Sequence, residues 1–399
     1  MIPRKRIDIG GTDLACGIAS CFTFGDASSV EQSIARAWND GHAMLACLSV
    51  RSGFDALLGT LALPQGSEIL VSAATLFDMA RVIEAHGLIA VPVDLDMQTL
   101  SVSRSALERA LTPRTRALLS AHLFGSRMPM QELSKFTNKN NILLIEDCAQ
   151  AYTGDAWRGE PACDVRMFSF GPIKTATALG GAVLSFRDTA LRDKVRECMT
   201  RWPLQTRTFY LSRLFKYSLF AFFNNRTVYG AFAVACRWLG TTHEKVVSGA
   251  VRGFAGVEFF NGIRKRPSLP LLRLMLRRIM QGEQPCIACR NACSRQLLSL
   301  APQLRHVGTQ AQSHTHWVFP VEEPRAQTLI NHLASHGFDA ACGTSSLGVI
   351  DAPEGRAPAI EARRVFGNIL YLPAHEGMDA SDIERLAAAL TAFYAKQAV

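Results

Sequence analysis

The sequence predicts an α/β protein in which a mostly parallel central sheet is flanked by helices and followed by a smaller C-terminal α/β domain. Three observations carry that expectation. From about residue 45 to residue 190, helix-like stretches alternate with short β-branched and apolar runs. Polar residues gather at the carboxyl ends of those runs, where open α/β sheets bind ligands. Beyond residue 281 the alternation resumes on a smaller scale.

The runs 69–72, 89–94, 117–122, 142–147 and 182–186 are each the length of one strand and mainly apolar, as in strands buried on both faces. Helices are expected between them over 75–86, 103–110 and 130–138. In the C-terminal unit, 316–321 reads as a strand, 323–336 as a helix and 379–394 as a last helix, with Asp382 and Glu384 suited to its positive end. The expected domains are a large one over 1–200 with an N-terminal arm, a basic apolar helical insert and linking helix over 201–280, and a small domain over 281–399.

A hydrophobic fraction of 48% in 399 residues supplies a substantial core, and no solenoid or propeller repeat is present. The early basic residues are followed by no uninterrupted apolar run, so secretion is not expected. Eleven cysteines, an odd number, suit reduced thiols in a cytoplasm. The net charge of +9 is local, because residues 201–278 hold fourteen Lys or Arg against Glu244 and Glu258 alone. A positive field confined to one segment predicts an anionic partner there.

Three local features carry chemistry. Ser52-Gly53-Phe54-Asp55-Ala56-Leu57 is a small-residue turn opening a helix, whose free N–H groups suit a phosphate, although by itself such a turn is an ordinary cap. Ile145-Glu146-Asp147-Cys148-Ala149-Gln150 ends a strand in a carboxylate, the group that keeps a pyridoxal-phosphate (PLP) ring protonated on nitrogen. Met167-Phe168-Ser169-Phe170-Gly171-Pro172-Ile173-Lys174 embeds a lysine among small and apolar residues, where desolvation favours the neutral amine.

In this order the motifs resemble the DegT/StrS-type family of PLP-dependent sugar aminotransferases, which share the aspartate aminotransferase (type I) fold. Further matches in register include Pro92-Val93-Asp94-Leu95-Asp96, Thr112-Pro113-Arg114-Thr115, His122-Leu123-Phe124-Gly125 and Tyr371-Leu372-Pro373 before Gly377-Met378. The resemblance implies that Lys174 holds PLP as a Schiff base and moves protons once displaced. It makes Asp147 the pyridinium partner, Gln150 the neighbour of the phenolic oxygen, and Ser169 a phosphate donor, with Ser52, Gly53 and Phe54 lining the phosphate cradle. It further implies a homodimer with its site at the interface, glutamate as the common amino donor and a nucleotide-linked ketosugar as the default carbonyl acceptor. The related sugar dehydratases replace the lysine with histidine, so Lys174 favours transamination over dehydration.

The chain departs from that pattern in places. Phe54 stands where the family has Thr, and Leu76 stands where an aromatic ring stacks on the pyridine, leaving neighbouring Phe77 for that role. The cross-subunit Asn-aromatic-Arg phosphate motif has a loose counterpart from Asn261 to Arg266. These changes keep open a non-catalytic binding or regulatory protein that retains the fold and docks on a membrane.

The insert is the largest departure. Residues 209–223 carry apolar side chains at helical spacing, 228–239 are again apolar, and Arg213, Lys216 and Arg226 interrupt both runs short of a membrane span. Two readings stand: a basic amphipathic pair for the inner membrane face or a lipid-like or polyketide-like substrate, and a helical pair packed on the core or dimer with arginines gripping a diphosphate. No nucleic-acid-binding module accompanies the basic patch, so nucleic acid is not an expected partner. Cys286, Cys289 and Cys293, and the His314 and His316 pair beside Trp317, read as packing residues, and no metal is expected.

Overall fold

The computed structural model describes residues 1–239, 258–342 and 346–395. Seven strands form the central sheet. From edge to edge they run Ala43–Cys47, Ala182–Phe186, Val165–Ser169, Leu143–Asp147, Thr115–Ala121, Glu68–Ser72 and Ile89–Val93. The last five are mutually parallel, and Ala182–Phe186 is antiparallel to both its neighbours.

All five expected strands of the sheet form, with ends shifted by at most two residues. Their continuous apolar character follows from burial on both faces: Ile69 and Val71 join one core layer while Leu70, between them, joins the other. Two strands were not expected. Ala43–Cys47 is the antiparallel edge, and Val165–Ser169 lies mid-sheet with Arg166 buried in it. That arginine is matched by Asp40, 3.1 Å away, and donates to the Arg158 carbonyl at 2.7 Å and to Ser185 Oγ at 2.9 Å.

The insert forms two helices, Arg207–Phe222 and Arg226–Trp238; residues 240–257 lie outside the described residues. The first helix carries two apolar stripes. Tyr210, Leu214 and Tyr217 pack into a core layer shared with helices Gly11–Phe22, Ala27–Trp38 and Leu269–Met280. Gly17 permits the approach, because a Cβ there would fall 2.7 Å from a Leu214 methyl. On the opposite side Phe215, Leu219 and Phe222 are exposed. No helix among the described residues is long and apolar enough to cross a membrane.

The C-terminal unit has an antiparallel three-stranded sheet with Ile369–Leu372 between Phe319–Glu322 and Ala341–Cys342. Helices Cys286–Leu300, Ala326–Ser335 and Ala380–Ala395 cover it around a separate core. The N-terminal arm is tied into this unit, since Ile2 donates to the Gly337 carbonyl at 2.8 Å and accepts from Asp339 at 2.9 Å. Residues 4–7 are thereby drawn along the cleft between the two cores.

Candidate active site

A cavity of about 560 Å³ opens at the carboxyl ends of the parallel strands, and Lys174, Asp147, Gln150, Ser169 and Phe77 all line it. Asp147 closes its strand, is 8% exposed, and accepts from the Ala149 N–H at 2.9 Å. Burial raises its pKa, while that N–H and the charges of Lys174, His122 and Arg51 act against the rise. Gln150 accepts from the Phe124 N–H at 2.9 Å through Oε1, which leaves its NH2 group as the donor end.

Lys174 sits in a loop wound around one carbonyl. The Phe170 oxygen accepts from the N–H groups of Ala178 and Gly180, both at 3.0 Å, and Lys174 N–H donates to Gly171. Gly181 leaves the loop at φ 88°, where a Cβ would fall 2.2 Å from the Met275 sulfur, so only glycine fits. The insert reaches this loop, because Tyr210 donates its hydroxyl to the Ala178 carbonyl at 2.7 Å. Desolvation lowers the Lys174 pKa to about 8, with Asp147 opposing the fall and Arg51 adding to it. Its ammonium lies 4.3 Å from the centre of the Trp317 ring, and Lys5 lies 3.7 Å from the same centre.

At the start of the helix after the first strand, the residues that line the cavity stand three positions before the expected ones. The helix Val50–Leu61 is capped by Ser49, whose Oγ accepts the Ser52 N–H at 3.2 Å and meets the Ser52 hydroxyl at 2.8 Å. Ser49, Val50 and Arg51 therefore face the cavity, and Ser52, Gly53 and Phe54 do not line it. Phe54 is fully buried in the core, and a Cβ at Gly53 would fall 2.5 Å from Leu184. Position 54 therefore faces the core and not the cavity.

Asn261 also lies outside this cavity in the chain: it donates to Glu258 at 2.8 Å, while Arg264 is held by the buried Asp55 at 2.8 Å and 2.9 Å. A different arginine reaches the site. Arg213, from the insert, lines the cavity with Gln205 and Arg51, and its buried Nε has no hydrogen-bond partner among the described residues. Burial depresses its pKa, Arg51 adds to that, and Tyr217 and Tyr210 oppose it. Sequence reasoning noticed Arg213 only as an interruption of an apolar run. Trp317, Lys5 and Ser49 had no signal at all beyond their residue types.

Phe77 lines the wall against Gly348, where an added Cβ would fall 2.5 Å from the ring, and Leu76 beside it pairs with Leu347 in a short two-stranded ladder. The cysteines Cys286, Cys289 and Cys293 do not converge: Cys289 is exposed and Cys293 packs in the small core. The donor set of the cavity fits PLP. A lysine with a depressed pKa and a buried carboxylate stand among the strand ends, and a capped helix N-terminus with two arginines provides for a phosphate.

Residues 23–213 match the family model described as the DegT/DnrJ/EryC1/StrS aminotransferase family. The chain is 32% identical over 160 residues to an L-glutamine:2-deoxy-scyllo-inosose aminotransferase of Micromonospora echinospora, covering 39% of this chain and 37% of that protein. It is 34% identical over 158 residues to the erythromycin biosynthesis sensory transduction protein EryC1 of Saccharopolyspora erythraea, covering 38% and 43%. The chain thus spans about two fifths of the length of these curated relatives. Among solved structures, NtdA of Bacillus subtilis with bound cofactor PMP superposes with a TM-score of 0.67 at 15% identity, over 96% of this chain and 82% of that one, which shows the type I fold. The likeness to the DegT/DnrJ/EryC1/StrS aminotransferase family is thus carried by residues 23–213, just under half of the chain.

Proposed function

We propose that this protein is a PLP-dependent aminotransferase that carries an amino group, with glutamate as donor, to the carbonyl carbon of an anionic acceptor, by default a nucleotide-linked ketosugar. The observation that carries the reading is Lys174 with its pKa lowered to about 8 in one cavity with the buried Asp147. The family-model match over residues 23–213 and the cofactor named with the Bacillus subtilis neighbour support it.

PLP, when bound, supplies an aldehyde carbon that receives the amino group and a ring that holds the electron pair freed at the substrate carbon. Asp147 keeps a proton on the ring nitrogen. Nζ of Lys174 is the base that takes the proton from the donor carbon and returns one to the acceptor. Ser169, the Ser49 hydroxyl, the N–H groups of Val50 and Arg51, and the Arg213 guanidinium would hold the phosphate. Gln150 would donate to the phenolic oxygen, and Phe77 would take the place of Leu76 beside the ring.

Eight Lys or Arg against four acids line the cavity, which selects an anionic acceptor. Phe209, Tyr210, Phe220 and Phe223 of the insert add an aromatic wall that suits a lipid-like or polyketide-like acceptor as the variant. The test is a titration of the PLP-loaded protein with glutamate, followed in visible absorbance. The cofactor band is expected to move to shorter wavelength, and an acceptor is expected to restore it; a band that glutamate leaves unmoved overturns transamination and favours a binding protein.

The same reading includes a homodimer with Asn261 offered to the partner's site, and a cytoplasmic location with contact at an anionic bilayer. The contact rests on exposed Phe215, Leu219 and Phe222 in a stretch with no acid between Glu197 and Glu244. Wild type is expected to sediment with phosphatidylglycerol vesicles and a Phe215→Ser, Leu219→Ser, Phe222→Ser variant to stay in solution. Equal sedimentation removes the membrane from the proposal. A single sedimenting species of monomer mass would remove the dimer.

A further inference from the structure

Three histidines meet in the small unit, outside the catalytic cavity. His306 is 6% exposed and bridges to Val321 on the Phe319–Glu322 strand; His314 and His316 come from the segment leading into that strand and are half-buried. One ring nitrogen from each lies within 4.8 Å of the others. Ring centres are 5.9 Å apart for His306 and His314, 5.6 Å for His306 and His316, and 4.2 Å for the stacked His314 and His316.

Both nitrogens of His306, Nε2 of His314 and Nδ1 of His316 are buried with no hydrogen-bond partner among the described residues. Native interiors pair such atoms almost without exception, so four orphans in one cluster call for a ligand that accepts lone pairs. No carboxylate belongs to the group. Three imidazoles with no acidic hydrogen-bond partner match a metal ion better than a proton relay.

We propose that His306, His314 and His316 bind one divalent transition-metal ion, with zinc as the ion whose chemistry fits best. An all-imidazole set selects the borderline ions of the zinc, cobalt and nickel group, whereas magnesium and calcium require oxygen ligands. Two nitrogens about 2.05 Å from a tetrahedral zinc stand roughly 3.3 Å apart, so the cluster closes by side-chain rotation on uptake. A water completes the fourth position.

One existing bond must give way. The His316 N–H donates to Nδ1 of His314 at 2.8 Å, which places the hydrogen of neutral His314 on Nε2. Ligation through Nε2 moves that hydrogen to Nδ1 and turns the His316 N–H away. His316 sits at φ 44°, a left-handed conformation uncommon for a non-glycine residue, so a backbone rotation there on uptake leads to a less strained state. Burial lowers the pKa of all three imidazoles, and Arg295 and Arg290 add to this at His316, which favours the neutral form that metals take.

The location gives the ion a task. His316 precedes Trp317, whose ring faces the Lys174 ammonium and whose indole N–H donates to the Ile173 carbonyl at 2.9 Å. An ion on His316 therefore fixes the residue that positions the catalytic lysine.

The test uses the full chain, stripped with EDTA and titrated with Co2+ while visible absorbance is followed, with metal content measured in parallel. Wild type is expected to bind one Co2+ per chain with the intense visible bands of a four-coordinate site. His306→Ala and His316→Ala are expected to lose more than roughly 100-fold in affinity, since even a residue that only supports a ligand is worth up to that. His332→Ala, on the Ala326–Ser335 helix, controls for histidines outside the cluster and is expected to match wild type. Wild type that takes up no Co2+, a folded His306→Ala or His316→Ala protein that binds as wild type does, or near-ultraviolet bands of cobalt bound to cysteine thiolate would each overturn the site. The half-buried position of His316 keeps that variant available should His306→Ala fail to fold.

Discussion

Lys174→Ala is expected to lower transamination by about 10^4-fold or more, the upper end of what a positioned general base supplies, because in the proposed function the same side chain both anchors the cofactor and moves the proton. Borohydride treatment of the PLP-loaded wild type is expected to add the mass of the reduced cofactor to the chain, and the variant to gain none. The pKa of about 8 adds a sharper test. Only the neutral amine attacks an aldehyde, so the rate at which apoprotein captures PLP is expected to rise about tenfold per pH unit below 8 and to level above it. An unperturbed lysine would go on gaining to about 10.4. A capture rate still climbing tenfold per unit at pH 9.5 would mean that Lys174 is not desolvated and that the proposed role is wrong.

Much of this site was legible because its chemistry is local. Lys174 and Ser169 lie five residues apart in one apolar and glycine-rich stretch, and Asp147 ends a run of strand residues, so each announces itself within a short window. What escaped depends on partners far away in the chain. Arg166 breaks the apolar pattern of Val165–Ser169, and its match, Asp40, gives no hint of pairing until the sheet is assembled. Residues 49–51 line the cavity and 52–54 do not because Ser49 caps the helix and Phe54 fits into the core; both serines are good helix caps, so the sequence does not choose between them. The insert helix was read as having one apolar face when it has two, since stripes at 210, 214, 217 and at 215, 219, 222 overlap in a simple periodicity count. His306 stands eight residues before His314, and only the turn between them brings the rings together.

Asp147→Asn is expected to cost about 10^2 to 10^4-fold in turnover while leaving the fold and PLP capture in place. The amide keeps the shape of the carboxylate and can still accept the Ala149 N–H, so the strand end is not disturbed. What is lost is the negative charge that, in the proposed function, holds a proton on the ring nitrogen. Its neighbour provides the control: Glu146 accepts from His122 Nε2 at 2.7 Å and from the Glu160 N–H at 2.8 Å, and is 1% exposed, so its charge is spent inside the protein. Glu146→Gln is therefore expected to lower thermal stability more than turnover per folded molecule, and Asp147→Asn the reverse. The two acids are further separated by their reach to the lysine. The Asp147 charge raises the pKa of Lys174 against desolvation, so removing it is expected to shift the PLP-capture profile to lower pH. Loss of turnover together with a downward shift is the joint signature of a carboxylate that serves both the ring and the lysine; an unchanged midpoint with normal turnover would show that Asp147 faces neither.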